Sequence, residues 1–272
     1  MNRMEEDKLP RRCQVSRILR VTLRATPDSG PGINDSRSPR TSAPIGCRFV
    51  IMVKHIVFDF DGTLADSEEV CFQLLNEIGA RHRYRQIDRD ELRQIKRLAY
   101  PERLRELGVP ITHVPFLAIE ARREYRAKVS SLRPFPGVRE ALLHLKAEGF
   151  VLHVLSSNAV PSIRDFLVTH GMDVFKTINC ERNFFGKHIG LKRFLRTHGL
   201  SQKDVIYLAD EVRDVEACRK IGLPIISVAW GFDPAESLRR ANPDYTADTP
   251  IDAVHMLEGV APAGVGASLA LT

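Results

Sequence analysis

One segment organises this chain: Lys54-His-Ile-Val-Phe-Asp59-Phe-Asp61-Gly62-Thr63-Leu-Ala-Asp66-Ser67. It opens with a short apolar run, His55 to Phe58, whose β-branched and aromatic residues are typical of a buried strand. Two carboxylates follow on alternate positions, so both side chains lie on one face at the carboxyl end of that strand. The Gly62-Thr63 pair then lets the chain leave the sheet sharply.

Asp59 and Asp61 indicate chemistry rather than packing. Two carboxylates this close repel each other, and that repulsion falls when a divalent cation lies between them. It also falls when one acts as a nucleophile and the other carries protons. A bare Asp-X-Asp would also fit a polar strand end followed by an ordinary turn, but the full string makes that interpretation weak.

The basic character of the chain is confined to its first fifty residues. The formal net charge is +6 at pH 7, and residues 1–50 hold 10 Lys and Arg against 5 Asp and Glu. The remaining 222 residues hold 30 against 29, so the body of the chain is nearly neutral. A nucleic-acid-binding role, which needs a basic surface, is therefore excluded for that body.

The cysteine pattern and the hydropathy point to a cytoplasmic protein. The five cysteines are scattered and form no Cys-X-X-Cys pair. This argues against a disulfide framework or a zinc site and favours a reducing compartment. No apolar run approaches the roughly 18 residues of a membrane-spanning helix, so we expect no membrane partner.

Both ends of the chain are expected to lie outside the folded body. Residues 1–51 are rich in Pro, Ser, Gly and Arg without an apolar period, which predicts a disordered leader. Our preferred hypothesis is that Met52 is the natural start, because it leads directly into the first strand. Residues 1–51 would then be an over-extended reading frame. Residues 259–272 are predicted to form a loose tail.

Helical patterns fill residues 67–132. Ser67-Glu68-Glu69 has the hydroxyl and acidic groups that suit a helix N-terminus, and Gly79 lies near the end of that helix. A charged segment over 88–107 and a third helix over about 114–129 follow. We therefore predict a helical insert over residues 67–132, after the first strand.

From Arg133 onwards, predicted strands alternate with predicted helices. The strands are expected at 151–155, 175–180, 205–209 and 224–229, with an edge strand near Tyr245. This alternation predicts an α/β fold with a doubly wound parallel sheet, covered by helices on both sides. The core would consist of residues 52–66 and 133–258.

Reactive groups end three of these strands, and in an open parallel sheet the carboxyl ends of strands form the ligand-binding edge. The groups are Asp59 and Asp61, Ser156-Ser157-Asn158, and Asp210-Glu211 with Asp214 shortly after. Lys187 precedes a predicted helix in the same layer. Carboxylates without His or Cys favour Mg²⁺ over zinc, and a phosphoryl group fits such a site.

Taken in order, these strings resemble the four motifs of the haloacid dehalogenase superfamily. The resemblance covers about residues 53–258 and is closest to the phosphoglycolate phosphatase-like enzymes, which carry a small helical cap after the first motif. Leu208-Ala-Asp-Glu-Val-Arg-Asp214 and Trp230-Gly-Phe232 strengthen it. The resemblance implies a Rossmann-like core and a Mg²⁺-dependent phosphatase that acts on a small phosphorylated metabolite.

The resemblance also assigns roles to the two acids of the first motif. Asp59 would be the nucleophile that takes the phosphoryl group as an aspartyl phosphate, and it would bind the metal. Asp61 would protonate the leaving oxygen and then activate the water that hydrolyses the intermediate. Its backbone carbonyl would be a further metal ligand.

The other motifs supply groups for the phosphate and the metal. Ser157 would donate to a phosphoryl oxygen through its hydroxyl, and Asn158 through its backbone N–H. Lys187 would neutralise charge on the nucleophile and the phosphate. Asp210 would hold Mg²⁺, and Asp214 would support the ion directly or through water.

Two of these assignments have competitors. Ser156 competes with Ser157 for the phosphate, and Glu211 competes with Asp214 for the metal. Glu211 ranks second because a residue that directly follows Asp210 on a strand end points away from it. The chain also departs from the usual family pattern, with His188 where a proline is common and Ala209 where a glycine is usual.

The preferred function is hydrolysis of a small phosphomonoester, with phosphoglycolate as the substrate that the resemblance suggests. One alternative is a phosphomutase of the β-phosphoglucomutase type, which would use the same residues. Another is a non-catalytic binding or regulatory protein, against which the intact set of Asp59, Asp61, Lys187 and Asp210 argues. The sequence leaves the oligomeric state open.

Overall fold

The computed structural model describes residues 53–181 and 186–258, together with the short antiparallel strand pair Leu19–Arg20 and Val50–Ile51. The predicted leader, apart from that strand pair, and the predicted tail lie outside the described residues. Among the helices of the described part, none has the length and apolar character needed to cross a membrane.

Strands and helices alternate along most of the described chain. The strands are β1 (His55–Phe58), β2 (Ala65–Asp66), β3 (Arg133–Pro134), β4 (Val151–Ser156), β5 (Thr177–Cys180), β6 (Val205–Ala209), β7 (Ile225–Val228) and β8 (Tyr245–Ala247). The helices are α1 (Glu68–Arg81), α2 (Arg89–Ile95), α3 (Tyr100–Glu106), α4 (Val114–Lys128), α5 (Val138–Ala147), α6 (Val160–Thr169), α7 (Lys187–His198), α8 (Val212–Arg219), α9 (Ala235–Arg240) and α10 (Pro250–Leu257).

A six-stranded parallel sheet forms the centre of the fold, in the order β8-β7-β6-β1-β4-β5. In the central strand β1, Ile56 is paired with Leu152 of β4 on one side and with Ile206 of β6 on the other. The chain order reverses at β1, which is the signature of a doubly wound sheet. The predicted α/β fold is confirmed.

The sheet is buried on both faces, because successive side chains of a strand point to opposite sides. Ile56 and Phe58 belong to one apolar cluster, whereas Val57, between them, belongs to another. All three side chains are almost fully buried. Burial of each such side chain contributes about 1.5–3 kcal/mol, so β1 is anchored from both sides.

The helices α1 to α4 lie between β2 and β3, within residues 67–132. These two short strands pair antiparallel, Ala65 with Pro134 and Asp66 with Arg133, and they bring the start and the end of the helical segment together. Part of that segment packs around its own apolar cluster of Ile87, Leu92, Ile95 and Leu107.

Three local features differ from the sequence prediction. The charged segment over 88–107 is two helices, and Pro101 falls in the first turn of the second, where its missing N–H is tolerated. The sequence predicts a helix from about Val215 to Ile221, whereas helix α8 begins at Val212, because the Asp233 carboxylate accepts the Val212 N–H at 2.8 Å. Helix α9 was not predicted.

Candidate active site

The polar groups singled out in the sequence meet at the carboxyl ends of three adjacent strands, β6, β1 and β4. Asp59 and Asp61 follow β1, Ser156 ends β4 and Asp210 follows β6. Two helices that begin beside this edge add Lys187, the first residue of α7, and Asp214, in the first turn of α8. The sheet order therefore brings together residues that lie more than 150 positions apart.

Lys187 links two of the acids. Its ammonium group forms an ion pair with Asp59 and a second one, at 2.5 Å, with Asp214 Oδ1. Burial by itself would lower the pKa of Lys187, but the Asp214 and Asp59 carboxylates raise it well above its ordinary value. Lys187 is therefore a fixed cation next to the predicted nucleophile.

Asp59 is held with one face towards solvent. Its Oδ1 accepts the backbone N–H of Phe60 at 2.8 Å, and its Oδ2 contacts Lys187. The residue retains 7% of its accessible surface. That surface faces a cleft of about 520 Å³, which is also lined by Asp61, Ser157 and Lys187.

Asp61 is fixed by one contact from the core and one from the helical segment. The side-chain amide of Asn158 donates to its Oδ2 at 2.6 Å, and the hydroxyl of Tyr125, in α4, donates to its Oδ1. Burial raises the pKa of Asp61 to about 6, the Tyr125 hydrogen bond opposes the shift, and the charge of Asp59 adds to it. A carboxyl that titrates near neutrality suits proton transfer in both directions.

Asp210 is the most enclosed acid that follows a strand of this edge, with 1% of its surface exposed. Its carboxylate accepts the Thr63 hydroxyl at 3.0 Å and the Phe232 N–H at 2.8 Å. Two glycines leave room for it: a Cβ at Gly62 would lie 2.0 Å from Asp210 Oδ2, and one at Gly231 would lie 2.2 Å from Asp210 Cβ. Gly62 also has a φ of +71°, which other residues rarely adopt.

The donor set fits a hard cation. Asp59, Asp61, Asp210 and Asp214 offer only oxygen atoms, which Mg²⁺ prefers. Burial raises the pKa of Asp210 well above its ordinary value, and the charges of Glu211 and Asp59 add to the shift, so a dication here would relieve the crowding. Among the described residues, no three of these aspartates bring their oxygens within 4.8 Å of one another. The aspartates therefore fit Mg²⁺ by their oxygen donors and their negative charge, and not by a preformed arrangement of ligands.

At the carboxyl end of β4, the two serines that are candidates for phosphate binding differ in exposure. Ser156 is buried, and its Oγ accepts the Asn158 backbone N–H at 3.1 Å. Ser157 is exposed, and both serines line the cleft. The hydroxyl of Ser157 is thus available to a ligand, whereas the N–H of Asn158, predicted to meet the phosphate, already has an acceptor.

Near the carboxyl end of β6, the two acids that are candidates for metal binding differ in their cationic partners and in their pKa. Glu211 pairs with Arg213, with 2.5 Å between Oε2 and Nε. Burial would raise the pKa of Glu211, but the Arg213 charge lowers it below its ordinary value. Asp214 is fully buried against Lys187, and burial raises the pKa of Asp214 although the Lys187 charge opposes that shift.

Three residues at the site were not predicted from the sequence: Tyr125, Thr63 and Arg213. Thr63 and Arg213 lie within the sequence motifs that contain Asp61 and Asp210. Their position in those motifs was the only sequence signal that they belong to the site. Tyr125 carries no such signal, because it comes from α4, 64 residues after the Asp61 that it contacts.

Comparison with known proteins places this geometry in a family context. The model of the haloacid dehalogenase-like hydrolase family matches residues 56–228. A phosphoglycolate phosphatase of Synechococcus elongatus is 32% identical over 198 residues, which cover 72% of this chain and 93% of that protein. A phosphoglycolate phosphatase of Vibrio cholerae is 26% identical over 212 residues, with the same two coverages.

Solved structures show the same fold. A haloacid dehalogenase-like family hydrolase from Streptococcus pneumoniae superposes with a TM-score of 0.62 at 20% identity, over 74% of this chain and 97% of that one. At that identity the likeness concerns the fold alone.

Proposed function

The chain belongs to the haloacid dehalogenase-like hydrolase family, and we propose that it is a Mg²⁺-dependent phosphatase that hydrolyses a small phosphomonoester through an aspartyl phosphate. The observation that carries this proposal is the pairing of a carboxylate fixed beside a lysine cation, Asp59, with a neighbouring carboxyl of raised pKa, Asp61. The first suits a nucleophile and the second suits a proton carrier.

In the proposed first step, an Asp59 oxygen attacks phosphorus and the phosphorus–oxygen bond to the leaving group breaks. Asp61, protonated at that stage, gives its proton to the leaving oxygen. Lys187 stabilises the charge on the transferring group, and Ser157 donates a hydrogen bond to it.

In the second step, water hydrolyses the phosphoryl group from Asp59. Asp61 is now a carboxylate and takes a proton from that water, which returns the site to its starting state. Asp59, Asp61 through its backbone carbonyl, Asp210 and Asp214 would hold Mg²⁺, which when bound offsets phosphate charge and helps to orient the phosphoryl group.

The substrate class follows from two considerations. The cleft beside Asp59 is lined by charged and polar groups, among them Asp61, Ser157 and Lys187, which suits a small charged molecule. The relatives from Synechococcus elongatus and Vibrio cholerae are phosphoglycolate phosphatases, and phosphoglycolate is therefore the first substrate to test.

Phosphate release from a panel of small phosphomonoesters, with and without Mg²⁺, tests the proposal. We expect release that requires the metal, and a loss of roughly 1,000-fold or more in kcat for Asp59→Asn, because the nucleophile is removed. Asp173→Asn is the matched control, since Asp173 is exposed and precedes β5 at the opposite edge of the sheet.

Two outcomes would contradict the proposal. Absence of release from every ester by the folded wild-type protein would argue against a phosphatase. More than a few per cent of wild-type turnover in Asp59→Asn would argue against Asp59 as the nucleophile. A requirement for a bisphosphate activator would instead favour the phosphomutase alternative.

A further inference from the structure

Glu181 is an acid of the cleft that the proposed reaction does not use. It directly follows β5, lines the cleft beside Asp59, and is 7% exposed. Its backbone N–H donates to the carbonyl of Ser156 at 2.8 Å, which ties it to the end of β4. A carboxylate in this position repels a phosphoryl group, so its burial needs a reason other than substrate binding.

The Glu181 side chain lies directly against the first turn of α7. A Cβ at Gly190 would lie 2.4 Å from Glu181 Cγ and 2.8 Å from its Oε2, so only glycine leaves room for this contact. Gly190 is itself buried. Glycine is one of the weakest helix formers, and its place in this turn is explained by the side chain that packs on it.

The next turn of α7 supplies a cation for this carboxylate. Arg193 Nη1 lies 3.2 Å from Glu181 Oε2, and the Glu181 side chain is 8% exposed. Arg193 is three positions after Gly190, so both lie on the same side of the helix. The negative charge of Glu181 is also near the N-terminal end of α7, where the helix dipole favours it. Glu181 therefore holds two successive turns of α7.

Helix α7 begins with Lys187, the cation of the proposed active site. The ammonium group of Lys187 pairs with Asp59 and Asp214, so a shift of the first turn would move it relative to both carboxylates. The residue before it, Gly186, has no side chain that could cap the helix. The position of the first turn therefore depends on the groups that pack against it, and Glu181 is one of them.

We propose that Glu181 is a positioning residue: by holding the first turn of α7, it keeps the Lys187 ammonium group beside Asp59. In this role Glu181 contacts neither substrate nor metal and acts on the reaction only through Lys187. The inference rests on the proposed phosphatase function, because the position of Lys187 affects turnover only if Lys187 stabilises the transferring phosphoryl group.

Glu181→Ala tests this role, with p-nitrophenyl phosphate and the best ester of the panel as substrates. With Mg²⁺ present, kcat/KM should fall by about 10- to 100-fold, which is the size of loss that a misplaced catalytic group causes. Glu140→Ala is the matched control, because Glu140 of α5 also pairs with an arginine, Arg139, but its side chain is 69% exposed. It should keep the wild-type kcat/KM.

A double-mutant cycle with Lys187→Met separates positioning from a general structural effect. If Glu181 acts through Lys187, Glu181→Ala should change kcat/KM by less than about 2-fold in the Lys187→Met background. Losses that multiply in the double variant would show that Glu181 does not act through Lys187, and they would overturn the proposal.

A second cycle needs no turnover from a Lys187 variant. Gly190→Ala places a Cβ against Glu181 and should also lower kcat/KM, although alanine favours the helix. In the Glu181→Ala background that Cβ has space, so Gly190→Ala should cause no further loss. Wild-type kcat/KM in Gly190→Ala, or a loss that persists in the double variant, would contradict the proposal.

The failures of the two proposals are distinguishable. Wild-type kcat/KM in folded Glu181→Ala would overturn the positioning role and leave the phosphatase intact. Absence of release by the wild-type protein from every ester and from p-nitrophenyl phosphate would overturn both. Thermal unfolding of each variant identifies any loss that is due to misfolding, and if Glu181→Ala does not fold, the activity of Gly190→Ala decides.

Discussion

At the scale of single residues, the environment of Asp61 is the most informative feature. Its two carboxylate oxygens have different partners, Asn158 from the core and Tyr125 from the helical segment. Burial raises the pKa of Asp61, while both hydrogen bonds stabilise its charged form and limit the shift. The pKa of about 6 is therefore set partly by a residue that the first motif does not contain.

Tyr125→Phe tests this contribution. Loss of a hydrogen bond to a charged group costs about 1.5–3 kcal/mol, so the pKa of Asp61 should rise by about one unit or more. Because a higher pKa keeps Asp61 protonated to higher pH, the limb of the kcat profile that Asp61 controls should move upwards by about one pH unit. The measurement is kcat against pH for the wild type and the variant.

Tyr84→Phe is the control for that substitution. The Tyr84 hydroxyl contacts His113 on an exposed part of the helical segment, so its removal should leave the profile in place. Coincident profiles for Tyr125→Phe and the wild type would show that Tyr125 does not influence Asp61, the proposed proton carrier.

At the scale of elements, helix α3 is tied to the core loop that follows β7. Arg103 and Asp233 form an ion pair at 2.6 Å, with side chains 12% and 2% exposed. The other oxygen of Asp233 accepts the N–H of Val212, which begins the helix that carries Asp214. Phe232, beside Asp233, donates its N–H to Asp210. One loop therefore joins the helical segment to two acids of the site.

Arg103→Gln should weaken this junction. It leaves the buried Asp233 carboxylate without its cation, which we expect to lower the free energy of unfolding by up to about 3 kcal/mol in urea titrations. The double variant Arg103→Gln, Asp233→Asn should recover part of that loss, because the uncompensated charge is gone.

Arg105→Gln controls for the general effect of removing an arginine from α3. Its side chain is 75% exposed, and a change within about 0.5 kcal/mol is expected. Equal losses for Arg103→Gln and Arg105→Gln would mean that the ion pair does not stabilise the protein.

At the scale of the whole molecule, stability should depend on a histidine pair within the parallel sheet. His153 of β4 is 1% exposed; its Nε2 lies 3.0 Å from His55 Nδ1 of β1, and its Nδ1 lies 2.8 Å from Thr177 Oγ1 of β5. Burial, together with the charges of His55 and His198, lowers the pKa of His153 to about 4. The folded protein thus holds His153 neutral.

The sign of the pH dependence follows from that shift. Between about pH 6.5 and pH 4 the unfolded chain binds a proton that the folded His153 does not, so acidification through this range destabilises the fold. From pH 7 to pH 5 the contribution of His153 is about 1–2 kcal/mol. In His153→Gln, the loss of unfolding free energy over this interval should be smaller by that amount.

His113→Gln is the matched control, since His113 is exposed and its replacement should leave the pH dependence unchanged. Titrating groups remote from His153, Asp61 among them, contribute equally to the wild type and the variants and cancel in the comparison. The same slope in His153→Gln and the wild type would contradict a neutral buried His153.

The sequence by itself determined the sheet and the reactive strand ends. The strand predicted at 205–209 has those bounds in the structure, and the apolar run His55–Phe58 is β1. Such strands are readable because a segment buried on both faces must be apolar along its whole length. Asp59 and Asp210 were found for the same reason, since each directly follows such a run, and Asp61 lies two positions after Asp59.

Only the tertiary structure decided which groups meet at the site and in what state. It brought Tyr125 to Asp61 and Arg103 to Asp233, pairs that lie 64 and 130 residues apart in the chain. It also left Ser157 exposed and buried Ser156. Local sequence patterns carry no information on these contacts, because the contacts depend on how separate elements pack. The pKa of each buried acid depends in turn on the charges that this packing places around it.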